Sequence, residues 1–193
     1  CFFYPVRLRP RCSPNGKRVL FSYITYPLRW ADGHPGFRGH ANAWQSRELA
    51  RIFLDQGCTV DAIEWSDGKF MPSRRYDAVF DIHSNLARLA PFCNGDTCRI
   101  LYCTGSDPYY QNAAEQRRVE ALKTRRGGHY KPKRIIQDPA EARRSLEIAD
   151  FCFLLGSEHT RDTFPETLRA KMELVAVTSA TGIVPKEAAA LVP

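Results

Sequence analysis

Between Lys17 and Val177, short apolar runs alternate with helix-like stretches, and this alternation restricts the fold more than any other feature of the chain. Strand-like runs cover 18–26, 58–65, 76–83, 99–104, 151–155 and 172–177. Amphipathic or polar helical stretches are expected over 40–56, 109–126 and 139–149, with a short helix from Ser157 that ends before Pro165. Strands joined by helices cannot pair as hairpins, so they imply a parallel sheet covered on both faces. Right-handed crossovers then give an α/β fold with a doubly wound, mainly parallel, Rossmann-like sheet. Numbering the six runs in chain order, the expected strand order is 3-2-1-4-5 for the first five.

At 193 residues the chain suits one well-buried domain. Residues 1–16 are rich in Pro and Arg without periodicity and read as a basic tail. Residues 17–180 form the domain, and 181–193 read as the start of a linker. No run of 18 apolar residues is present. The seven cysteines form no CxxC pair and lack zinc-finger spacing, so no zinc site is read from them, and the compartment reads as reducing and cytoplasmic. No metal or other cofactor is expected.

The net charge of +7 is uneven. From Ala113 to Glu147 there are ten Lys/Arg against five acids, which supplies +5 of the total. A solvated helix face accounts for this as simply as an anionic partner does. An anionic membrane surface, at the inner face for a cytoplasmic protein, or a phosphorylated ligand are the sharper readings. Nucleic acid is not expected, because the aromatic–basic interleaving of an RNA-binding sheet and any helix-turn-helix signal are missing.

The first strand runs into a turn with Gly33, Gly36 and Gly39, after which His40-Ala41-Asn42 opens a helix. Unpaired N–H groups and the helix dipole make such a junction an anion site, so Gly36, Gly39, His40 and Asn42 are candidate substrate contacts. The turn is neither a GxxxxGK[ST] loop nor a GxGxxG fingerprint, and Glu64 as a ribose-binding acid would be a lone signal. His83 closes the third run, where ligands of such sheets sit, and is the candidate catalytic residue. Thr104, in Thr104-Gly105-Ser106, is a candidate contact at the end of the fourth. There is no GxSxG elbow and no HExxH.

Several strings together resemble the N-terminal lobe of a GT-B-fold glycosyltransferase of the large retaining group 1 family. They are residues 39–47 (GHANAWQSR), 57–63 (GCTVDAI), 76–81 (YDAVFD), 102–105 (YCTG) and 111–118 (QNAAEQRR). The resemblance spans about 17–180. It implies a two-lobed enzyme whose N-terminal lobe holds a sugar or lipid-linked acceptor and whose glycine loop approaches a nucleotide-sugar diphosphate. It adds Asn112 and Arg117 as substrate contacts, and its basic helix would meet a membrane or an anionic acceptor. The second lobe, which would hold most of the donor, is expected to be missing, leaving an incomplete donor site. The alternative is a non-catalytic Rossmann-like module for a phosphorylated or anionic ligand.

Overall fold

The computed structural model describes residues 5–176. The linker expected over 181–193 lies outside them. Six parallel strands form the sheet: β2 (Arg18–Tyr23), β3 (Thr59–Glu64), β4 (Ala78–Asp81), β5 (Cys98–Cys103), β6 (Phe151–Leu155) and β7 (Met172–Val175). A short strand, β1 (Val6–Leu8), adds an antiparallel edge against β3, giving the order β1-β3-β2-β4-β5-β6-β7. The α/β class and the mainly parallel, Rossmann-like sheet therefore follow the sequence reading.

The expected order does not. The strand ending near His83 pairs directly with the first one, Val19 opposite Ala78, so the order of the parallel strands begins 2-1-3 rather than 3-2-1. The outer edge of β3, where the third run was expected, is occupied by an edge strand within the supposed tail. Asp61 faces inward from β3 with about 1% of its surface exposed, and a carboxylate there requires partners. Arg7 of β1 supplies two donors, at 2.7 and 3.2 Å, and the buried Tyr76 hydroxyl donates a third at 2.9 Å. With β1 closing the outer side of β3, β4 pairs on the free side of β2. Its entry is fixed by Asp77, whose carboxylate accepts from Arg18 N–H at 2.7 Å.

Helix α2 (Ala41–Asp55) covers one face. There Phe21 stacks on Phe80 with centroids 5.0 Å apart, and Phe53 meets both rings edge-on. Val19, Val60, Ala62 and Tyr102 complete this cluster with Ala50 and Leu49. The opposite face buries Leu20, Val79, Leu101, Leu154 and Met172 against Leu86 and Leu89 of α3 (Asn85–Leu89), Leu146 of α5 (Pro139–Ile148), and Phe164. Such two-sided burial explains why the strands read as continuous apolar runs. The one-turn helix α1 (Gly36–Gly39) precedes α2, α6 (Glu158–Arg161) and α7 (Glu166–Arg169) lie between the last two strands, and with α4 (Pro108–Arg126) these are the other α-helices among the described residues.

Helix α4 begins with Pro108 at its first position and Asp107 as its cap, accepting from Tyr109 and Tyr110 N–H. It stops at Gly127, where φ is 62°. Only Pro108, Glu115 and Val119 of this helix are buried. Asp107 also pairs with Arg143 of α5, which lies over the Tyr109 ring, and this triad ties the two helices together.

Candidate functional site

The chain leaves β2 toward α2 on one face and leaves β4 toward α3 on the other. The crevice beyond the carboxyl ends of these neighbours is the switch point of the sheet, the usual ligand position in doubly wound folds. The residues there are Ser22, Trp65, Asp81, His83 and Asn85. The His83 ring lies 4.7 Å from the Trp65 indole, and Trp65 is exposed. Asp81 is fully buried; Oδ2 accepts from Leu86 N–H at 2.9 Å, while Oδ1 has no hydrogen-bond partner among the described residues.

Burial shifts both titratable groups. The Asp81 carboxyl is pushed up by loss of solvent, against the Ser22 hydroxyl, the Leu86 N–H and His83. Burial pushes His83 down, with the Asp81 charge opposing. The imidazole is consequently neutral at pH 7, able to accept a proton or to donate one hydrogen bond. Its share of stability is complete above its ordinary value of 6.5 and is lost as the pH falls toward the lower folded value. Asp81 works in the opposite direction: its share is complete below 3.8 and is lost as the pH rises through the raised folded value. Replacing Asp81 by Asn removes the charge that favours imidazolium, so the His83 resonance is expected to titrate at still lower pH. Histidine ring-proton NMR reads this directly, and an unchanged midpoint would uncouple the pair.

Asn85 and Arg88 brace the crevice. Asn85 Nδ2 donates to Ser22 Oγ at 3.0 Å and to the Trp65 carbonyl at 2.8 Å. Its Oδ1 accepts from Arg88 Nε and Nη2, while Arg88 also holds the Phe70 and Asp67 carbonyls. Neither residue was singled out from the sequence. The available signal was an Asn–Arg pair three residues apart, directly after a strand.

The glycine turn lies after β2, on the same carboxyl edge by topology. It folds around aromatic rings: Trp30 stacks on His34 at 4.2 Å and meets Phe37 edge-on, and Arg47 lies 3.6 Å over Phe37. A Cβ on Gly36 would meet the Trp30 ring at 2.5 Å, so this glycine serves ring packing. Its N–H donates to His34 Nδ1, and those of Phe37 and Arg38 bond to the His34 and Pro35 carbonyls. Gly39 is open, with nothing near an added Cβ. His40 caps α2, its Nδ1 accepting from Asn42 N–H at 3.2 Å, and both residues are exposed. Glu64 is committed locally, accepting from the N–H and hydroxyl of Thr25, each at 3.0 Å.

Thr104 is exposed at the end of β5. Asn112 and Arg117 stand apart on α4. The Asn112 amide holds the Ile136 backbone at both ends, 2.9 and 2.8 Å, which gives it a bracing role. Arg117 is exposed, with its guanidinium 5.9 Å above the Tyr110 ring. Two open grooves flank α4 and α5. One, of about 780 Å³, is lined by Tyr109, Glu141, Arg143 and Arg144; the other, of about 590 Å³, by Ser106, Gln111, Arg118 and Arg134. His83 and the glycine turn line neither groove. Among the described residues, no helix is long and apolar enough to cross a membrane, and no three His, Cys, Asp or Glu side chains are placed to hold a metal ion.

No protein-family model matches this chain, and no curated protein matches it.

Proposed function

We propose that this domain is the acceptor-binding half of a retaining GT-B glycosyltransferase, acting on a sugar or lipid-linked acceptor with a nucleotide-sugar donor held largely by a second lobe. The reading rests on the sequence resemblance over 17–180. The observation that carries it further is the neutral His83 beside the exposed Trp65 at the switch point of a doubly wound sheet. An imidazole there positions an acceptor hydroxyl, and an indole offers a flat apolar platform next to it. Few N–H groups of the glycine turn remain for a diphosphate, since those of Gly36, Phe37 and Arg38 are already bonded.

The test is calorimetry of the purified chain against UDP-, GDP- and TDP-sugars and a panel of saccharide and lipid-linked acceptors. Each exposed dipolar contact contributes about 0.3–1 kcal/mol. A few of them fall well short of the roughly 8 kcal/mol of micromolar affinity. Donors are therefore expected to bind weakly, and an acceptor to bind in a manner weakened by His83→Ala. Micromolar donor binding would overturn the half-site assignment, and binding of simple phosphorylated ligands alone would favour the non-catalytic module.

A second expectation concerns α4, where Arg117, Arg118, Arg125 and Arg126 are exposed and Arg118 is paired with Glu115. As a surface for anionic acceptors or membranes, it is expected to bind anionic vesicles over neutral ones, at about 1 kcal/mol for each engaged side chain. Binding should fade as salt approaches about 1 M, where charges are screened beyond ~3 Å. Equal affinity for neutral vesicles would reduce the patch to an ordinary solvated face.

A further inference from the structure

Two cysteines from neighbouring strands meet inside this fold. Cys103 ends β5 and Cys152 lies in β6; the register sets Cys152 opposite Leu101 and Cys103 opposite Leu154. Both side chains belong to the face packed by α3 and α5, one step apart on the diagonal. Their sulfurs are 3.6 Å apart, in S–H···S contact. Cys152 is buried, whereas Cys103 is half-buried and directly precedes the exposed Thr104.

We propose that Cys103 and Cys152 form a reversible oxidation site that responds to hydroperoxides by closing a disulfide beneath the carboxyl edge of the sheet. The Cys103 sulfur attacks a peroxide oxygen, the O–O bond breaks, and water leaves with the thiol proton, giving a sulfenic acid. The Cys152 sulfur then attacks the Cys103 sulfur. The S–O bond breaks, and hydroxide leaves as water with the Cys152 proton. Two thiols and one hydrogen peroxide thus become one disulfide and two waters.

The surroundings divide these roles. The S–H···S contact with Cys103 pulls the Cys152 thiol down, and the Lys171 ammonium adds to this, which suits Cys152 to the second attack. The same contact, with burial, pushes Cys103 up, so the first attack is slow and sustained peroxide is required. Closing the bond shortens the 3.6 Å sulfur separation to about 2.05 Å, a movement between β5 and β6 next to Thr104.

The experiment treats the full chain with hydrogen peroxide, blocks the remaining thiols with N-ethylmaleimide in denaturant, and maps non-reduced peptides by mass spectrometry. The expected product is a peptide pair joining Cys103 to Cys152 that separates on adding dithiothreitol. Phenylarsine oxide, which bridges two neighbouring thiols, is expected to protect both from peroxide. The Cys103→Ser variant should lose the crosslink and the protection together. Crosslinks confined to Cys12, Cys93 or Cys98 would overturn the proposal. So would full alkylation of Cys103 and Cys152 after the exposed Cys12 has been oxidised. The wild-type map decides the matter even where a variant folds poorly.

Discussion

Replacing Asp107 by alanine is expected to lower stability by about 2–4 kcal/mol, the largest effect anticipated at a single position here. The side chain caps α4, and loss of such a cap costs about 1 kcal/mol. It also accepts from Arg143 in a charge-assisted bond worth about 1.5–3 kcal/mol. Asp107 is about 2% exposed, so water replaces neither interaction fully. Chemical denaturation should show a lower midpoint with a similar slope, because the sheet still unfolds as one unit. Asp107→Asn keeps the cap and weakens the pairing, and it should fall between the two. A loss below about 0.5 kcal/mol for the alanine variant would mean that the helices are held by packing alone.

The second largest loss, about 2–3 kcal/mol, is expected for Asp61→Ala. It leaves the buried Tyr76 hydroxyl without its acceptor, at a cost of about 1–3 kcal/mol, and releases Arg7 from β3. Amide hydrogen exchange should then be faster at Val6–Leu8 than in the central strands, a local signature that global destabilisation would not produce. Tyr76→Phe removes the hydroxyl while keeping the ring, and is expected to cost about 1 kcal/mol. Uniform acceleration of exchange across the sheet would contradict the assigned role of Asp61.

Most of the architecture was legible because these strands are buried on both faces and carry unbroken apolar runs. Helix α2 was equally plain, with Gly57 at φ 82° stopping it. What escaped was short or held by side chains from distant positions. Strand β1 has three residues, and its partner Asp61 lies 54 positions away, so no local pattern announces it. Helix α3 has five residues and begins at Asn85, whose role depends on Ser22 and Trp65. The strand order was hidden for the same reason: β1, unannounced in the sequence, occupies the edge of β3 where the third run was expected. At the candidate site, His83 was visible as a polar residue closing an apolar run. The burial of Asp81 beside it was not, because an acid at a strand end is normally solvated. The glycines of the first turn suggested open backbone, but the neighbouring Trp30, His34 and Phe37 fill the space around Gly36.

The Arg7–Asp61 pair also sets an order of events during synthesis. Arg7 leaves the ribosome 54 residues ahead of Asp61, and chains grow at about 5–20 residues per second. The first strand therefore waits roughly 3–11 s for its partner, exposed and alone. Its neighbours, Arg9, Pro10, Arg11 and Pro14, are poor material for aggregation, since charge and proline both resist strand pairing. The composition that resembles a tail thus suits a segment that is made well before the strand it docks on.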